Sequence, residues 1–501
     1  VFIFSLGLAS FFLLLSFFLL VLRIYSFPCT QLQLSIEAID KMRLHTLSTL
    51  LFGLVASNPI VAEREIVERD VVTEHDVVVV YKNCKVVTPQ VFIISMVPQS
   101  PPSSIHPLTL SPQFGPEADV WYKENDNPSG IGNLFAQNIT VPGFSPLFPA
   151  AHCTANGQVC QLTTGESEIN AASTITALVH SPLFNLTKTY FMIGGIAGIN
   201  PKYGTLADVA FCKYAIQVAL QYEFDAREIP SNFSTGYVPQ GAYSPEEYPQ
   251  SIYGTEVFEV NEALRDIAAS FALSATLNDS TEAIAYRANY ANDGVTLYKN
   301  ATLKPSIRKC DVATSDVYFS GTLLGEAFEN TTSLFTNGSG IYCMTAQEDN
   351  ATLEAMIRAA LSGLLDFSRI IVMRTASDFD RPYPGLSDLD NLFYVQQGGF
   401  APAIANIFLA GKEVVNGIIR AWHSTFEAGI KPTNYIGDIF GSLGGVPDFG
   451  PGVVVEPQVL GTEKRDGEVG SRGEMYRKGL GGRAVKGLQG AEVARRAQGN
   501  V

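Results

Sequence analysis

Residues 86–96 read Val-Val-Thr-Pro-Gln-Val-Phe-Ile-Ile-Ser-Met. A short β-branched run of this kind, with no polar alternation at its centre, is the pattern of a strand buried on both faces. Residues 190–193, 209–222 and 369–374 are further runs of the same type. Helical spacing separates or follows them. Residues 169–180 fit one amphipathic helix, and Leu353, Met356, Ile357, Ala360, Leu361 and Leu364 form the i, i+3, i+4 stripe of another. Ile404, Ile407 and Phe408, then Val415, Ile418, Ile419 and Trp422 beyond a glycine, supply helical faces near the end. Strands alternating with helices in this way predict a layered α/β/α sandwich over residues 86–455.

Composition narrows the function. The 501 residues are 46% hydrophobic and 17% charged, which excludes a largely disordered chain. Lys and Arg total 34 against 49 Asp and Glu, a net charge of −15, so nucleic acid is not an expected partner. A multi-span transporter needs several runs of about 20 apolar residues, and by that reading only residues 1–22 qualify. No phosphate-binding loop of the G-x-x-x-x-G-K-[ST] type and no dinucleotide fingerprint is present, so neither nucleotide cofactor is expected. His152 lacks the companions a zinc site requires, and no metal is expected.

The ends differ from the middle. Residues 1–41 open with an apolar segment that reads either as a membrane anchor or as translated upstream sequence, because the first methionine is Met42. Residues 42–62 have the basic start, apolar centre and small residues of a signal peptide, and 63–85 read as a linker. Residues 456–501 are Gly-rich and basic with no apolar period, and are expected to be a disordered tail. Residues 97–113, dense in Pro and Ser, interrupt the domain; they read as a retained intron or as a surface-loop insertion.

Export is expected on two counts. Asn-x-Ser/Thr acceptors stand at Asn138, Asn185, Asn232, Asn278, Asn300, Asn330, Asn337 and Asn350, predicting glycan-bearing surface loops. Cys153 and Cys160 flank a turn-forming Thr-Ala-Asn-Gly, predicting a short disulfide hairpin, with Cys310 and Cys343 as the next pair. A secreted or cell-surface location follows, with association to membrane or wall and a homo-oligomer as open expectations.

Several ordered motifs then carry a resemblance. Residues 164–172 (Thr-Gly-Glu-Ser-Glu-Ile-Asn-Ala-Ala) precede Ile193-Gly194-Gly195-Ile196-Ala197-Gly198, Gln347-Glu348 and Arg374-Thr375-Ala376-Ser377-Asp378. In that order they resemble the nucleoside phosphorylase and methylthioadenosine nucleosidase superfamily. Residues 91–96, Trp121, residues 160–172 and 342–351, and Ser377-Asp378-Phe379-Asp380-Arg381-Pro382 resemble the fungal purine nucleoside permease family more closely.

The resemblance implies a mixed central sheet and a purine nucleoside as ligand, held for uptake. The alternatives are a secreted nucleosidase that hydrolyses the N-glycosidic bond, and an inactive family member. It implies Asp378 as the acid facing the base, Glu348 as acceptor of the ribose hydroxyls, Glu117 as the first-strand carboxylate that activates water, and Gly194, Gly195 and Gly198 as pocket backbone. Where phosphorylases of the superfamily place an Arg and a hydroxyl residue for phosphate, this chain has Ile193 and Ile196, so phosphate is not an expected co-substrate.

Overall fold

The computed structural model describes residues 86–96, 115–122, 130–291 and 296–449, together with two short strands, Gln31–Leu34 and Val78–Tyr81, paired to each other. Apart from those two strands, the expectations for residues 1–41, 42–62, 63–85, 97–113 and 456–501 lie outside the described residues.

One sheet of 13 strands organises the domain. In chain order the strands are β1 (Val91–Ser95), β2 (Gln137–Thr140), β3 (Ala150–Cys153), β4 (Val159–Thr163), β5 (Tyr190–Ile199), β6 (Val209–Cys212), β7 (Tyr214–Gln217), β8 (Val257–Glu259), β9 (Ile307–Lys309), β10 (Asp311–Thr314), β11 (Tyr342–Ala346), β12 (Ile370–Phe379) and β13 (Gly437–Asp438). The principal helices are α1 (Pro116–Tyr122), α2 (Ser167–Val179), α3 (Glu262–Ala272), α4 (Thr322–Phe335), α5 (Asp349–Leu361) and α6 (Phe400–Arg420). The centre is parallel, β4-β1-β5-β12, while β6 joins β12 and β11 joins β5 antiparallel. The sheet is therefore mixed.

Side-chain alternation explains the three layers. Phe92 and Ile94 of β1, Phe191 and Ile193 of β5, and Ile370 and Val372 of β12 join Ile175 and Leu178 of α2 and Leu353 and Met356 of α5 in one core. The intervening residues, Val91, Ile93, Tyr190, Met192, Ile371 and Met373, pack on the opposite face against Trp121 of α1, Leu264 of α3 and Ile407 and Val414 of α6. Both faces need apolar side chains, which is why the strands read as unbroken apolar runs. Helix α6 is long and apolar enough to cross a membrane by length and composition, in addition to the N-terminal run, but it lies mostly buried against the sheet.

Three expectations change at the strand level. The single run expected over 209–222 is divided: Lys213 separates β6 from β7, its amide donating to Asp311 Oδ1 at 3.0 Å, and Gln221–Glu223 pairs elsewhere with Tyr237–Pro239. The Gly-rich stretch 194–199 continues β5 as strand instead of ending it. β12 likewise runs on to Phe379 and carries Asp378 within it. Disulfides join Cys153 to Cys160, which face each other across β3 and β4, and Cys310 to Cys343. Asn350 corrects the reading of its acceptor motif as surface loop: it is 2% exposed, accepts a hydrogen bond from Thr314 Oγ1 and donates to the Thr255 carbonyl.

Candidate functional site

Strand β5 is longer than its neighbour on one edge, and this creates the site. That edge pairs with β1 along Tyr190 to Ile193 and with β11 at Gly198 and Ile199. Between the two a fork opens, and among the described residues the backbone of β5 there has no ladder partner on that side. Buried amides and carbonyls need partners, and side chains supply them. Glu117, from α1, accepts from the Ile196 amide at 2.5 Å and from the Met96 amide at 3.0 Å, spanning β5 and the end of β1. Arg374, from β12, donates to the Ile196 carbonyl at 3.2 Å.

Gly195 makes this possible. A Cβ there would stand 2.8 Å from both Arg374 Nη1 and Glu117 Oε1, so only glycine lets the two groups meet across the strand. Gly198 is equally crowded, its Cβ position being 2.6 Å from Thr345 Oγ1, and its amide donates to that hydroxyl. Gly194 is different: a Cβ there would make ordinary contact with Met373, so no side-chain approach at the site depends on it.

Three carboxyl groups surround the one guanidinium. Asp349 takes two Arg374 hydrogen bonds, at 2.8 and 3.2 Å, and Glu348 takes a third at 3.2 Å. The other oxygen of Glu348 accepts from the Ser167 amide at 3.1 Å. Glu348 sits at the N-cap of α5, but its side chain does not cap that helix; it turns toward α2 and Arg374 instead. Ser167 is held at φ +79°, a left-handed conformation rare for residues other than glycine, and the hydrogen bond to Glu348 is what fixes its amide in place.

The charge balance sets the protonation. Burial raises Glu117 to about 8, the opposing attraction of Arg374 being smaller, and neighbouring Glu348 adds to the rise. Burial also raises Glu348. Beside them Glu168 is raised to about 7 by burial, then by Asp316 and Glu348, while Gln217 donates to its carboxyl. At neutral pH Glu117 therefore holds its proton, the condition of a group that can both give and take one.

Asp378 lies three β5 residues beyond Gly195, about 10 Å along the sheet. A bulge brings it there: pairing passes from Ala376 opposite Ala197 to Asp378 opposite Gly198, with Ser377 as the extra residue. Ser377 Oγ donates to one Asp378 oxygen at 2.5 Å and the Tyr318 hydroxyl to the other at 3.1 Å. Desolvation raises this carboxyl, and the two hydroxyls lower it in part.

The structure thus gathers Glu117, Gly195 and Glu348 around Arg374, and places Gly198 and Asp378 farther along the same strand pair. Glu117 is on a helix, not on the first strand, and is buried. Arg374, Asp349, Ser167 and Tyr318 were not assigned roles from sequence. Arg374 left a signal: a charge inside a buried strand run must find an opposite charge, and Glu348-Asp349 was the acidic pair available. Ile193 is fully buried in one core and Ile196 packs on the other, so neither offers a polar atom from its side chain.

The family described as purine nucleoside permease matches residues 88–431. A purine nucleoside permease of Candida albicans is 43% identical over 418 residues, covering 81% of this chain and 96% of its own. A Schizosaccharomyces pombe protein named "Probable purine nucleoside permease" is 38% identical over 317 residues, covering 62% of this chain and 88% of its own. Among solved structures, a 5′-methylthioadenosine/S-adenosylhomocysteine nucleosidase of Neisseria meningitidis matches at 12% identity and a TM-score of 0.35, over 66% of this chain and 99% of that one, a likeness too slight to carry an argument.

Proposed function

This chain belongs to the purine nucleoside permease family, and on that footing we propose that it binds purine nucleosides at the β5 fork, at the cell surface, and supports their uptake. The observation that carries the reading is the match at 43% identity across 96% of a purine nucleoside permease, together with the family match over residues 88–431, which spans the elements that build the fork. In this reading Glu348 keeps acceptor capacity for ribose hydroxyls, since each of its oxygens uses one lone pair on Ser167 or Arg374. Asp378 meets the base, donating through its proton. The test is calorimetric titration of the full chain with adenosine, guanosine and a pyrimidine nucleoside: purine nucleosides bind and the pyrimidine does not. Equal heats for all three would overturn it.

A second reading rests on a specific feature, the buried carboxyl of Glu117 at about 8. In its deprotonated form such a group suits activation of water: Glu117 takes a proton from the water, the water oxygen bonds to C1′, the C1′–N bond breaks, and the base leaves with a proton from Asp378. Chromatography for free base after incubation with adenosine separates the readings. Asp378→Asn then keeps binding but loses turnover, general-acid contributions being about 10²–10⁴-fold. The absence of free base from the wild type leaves binding and uptake alone.

Export with glycans and disulfides completes the proposal. Asn138, Asn185, Asn232, Asn278, Asn330 and Asn337 stand exposed and are the acceptors available to a glycan.

A further inference from the structure

A ligand carrying phosphate, or phosphate itself as a second substrate, would look first for backbone amides at a helix N-terminus and for a free cation. Helix α2 begins at the fork and has 13 residues, enough to present such amides. Its first two are taken. The Ser167 amide donates to Glu348 Oε1 at 3.1 Å and the Glu168 amide to Asp316 Oδ1 at 2.9 Å. The protein's own carboxylates stand where an oxyanion would.

The cation is also engaged. Arg374 spends Nε and Nη2 on Asp349 and Glu348 and reaches the Ile196 carbonyl through Nη1. Among the described residues no other Lys or Arg is bonded to Glu117, Glu168, Asp316, Glu348 or Asp378. The β5 side chains flanking the paired glycines are Ile193 and Ile196, which donate nothing. Gln217 and Gln347 tie the mouth together, donating to the Glu168 carboxyl and the Asp316 carbonyl.

We infer that this site selects uncharged nucleosides and shuts out phosphate, free or esterified, with Asp316 and Glu348 as the residues that impose the exclusion. The inference rests on the nucleoside reading above and adds the class of ligand that it rejects. Any cleavage at this site would then use water and proceed equally well without phosphate.

Three titrations on the full chain test it: adenosine, adenosine 5′-monophosphate, and inorganic phosphate into protein already loaded with adenosine. The monophosphate should bind about 100-fold or more weakly than adenosine, because like charges brought together oppose binding strongly. Phosphate should neither bind nor change the adenosine affinity. Asp316→Asn keeps an oxygen for the Glu168 amide while removing the charge, so the protein folds and the ratio of monophosphate to adenosine affinity should rise about tenfold. Equal affinities in the wild type, tighter adenosine binding with phosphate present, or an unmoved ratio in Asp316→Asn would each overturn the exclusion while leaving the nucleoside reading intact. Failure of adenosine itself to bind would remove that reading and this inference with it.

Discussion

Two fully buried arginines stand seven residues apart, Arg374 within β12 and Arg381 just past its end, and they are surrounded differently. Arg381 bonds Asp380 through two nitrogens at 2.8 Å and reaches Glu329 at 2.9 Å; Glu329 also meets Lys202, and Asp380 accepts from the Tyr342 hydroxyl. Every carboxylate there has a cation partner, since Glu326 at the rim also stands 3.6 Å from Lys202. Around Arg374, three carboxyl groups face one cation; Asp349 and Glu348 take its hydrogen bonds, and Glu117, raised chiefly by burial and further by Glu348, keeps a proton. A cluster in which each carboxylate is paired holds the fold together. A carboxyl buried with no ion-pair partner of its own holds a proton that can be exchanged, and that is the difference between a brace and a site.

The comparison breaks most readily at the brace. Arg381→Met leaves Asp380 without its buried partner and should cost about 3–5 kcal/mol in stability, read as a lowered urea midpoint. Arg374→Met should cost less at pH 6 than at pH 8, because Glu348, already raised by burial, can take up a proton when the guanidinium is gone. An equal loss for the two variants at both pH values would erase the distinction.

A smaller effect sharpens it. Glu117 is raised from 4.5 to about 8 on folding, so the folded state binds more protons between those values. Its contribution is therefore most favourable below the unfolded value and is lost as pH rises toward the folded one. Between about pH 6 and pH 7.5 the wild type should lose about 2 kcal/mol more stability than Glu117→Gln. Melting curves at a series of pH values give the answer; parallel slopes would mean that Glu117 does not hold the proton. Smaller still, Gly195→Ala inserts a methyl 2.8 Å from both Glu117 and Arg374 and should cost about 1–2 kcal/mol, whereas Gly194→Ala, facing only ordinary contact with Met373, should cost less. Chemical denaturation of the two variants compares them directly.

The layers were legible because burial on both faces of β1, β5 and β12 leaves a plain mark, an unbroken apolar run. The carboxylates Glu117, Glu348 and Asp378 were legible only through the ordered motifs that contain them. What the sequence hid was pairing. Nothing in residues 194–199 says that a glycine stretch continues a strand; it does so because β12 pairs along its whole length on one edge while side chains serve the other. The division of 209–222 at Lys213 depends on Asp311, a residue 98 positions away. The role of Arg374 depended on knowing that α1, α5 and β12 converge on one glycine.

The central claim is that the fork around Gly195 is the nucleoside site. Calorimetric titration of adenosine into the wild type and into Glu348→Gln tests it directly, since that substitution replaces a charged acceptor with a neutral amide of the same shape. The account predicts that the variant binds adenosine more weakly by about 1.5–3 kcal/mol, the scale of a hydrogen bond to a charged group. Unchanged affinity in a folded Glu348→Gln protein would contradict it and place the pocket elsewhere.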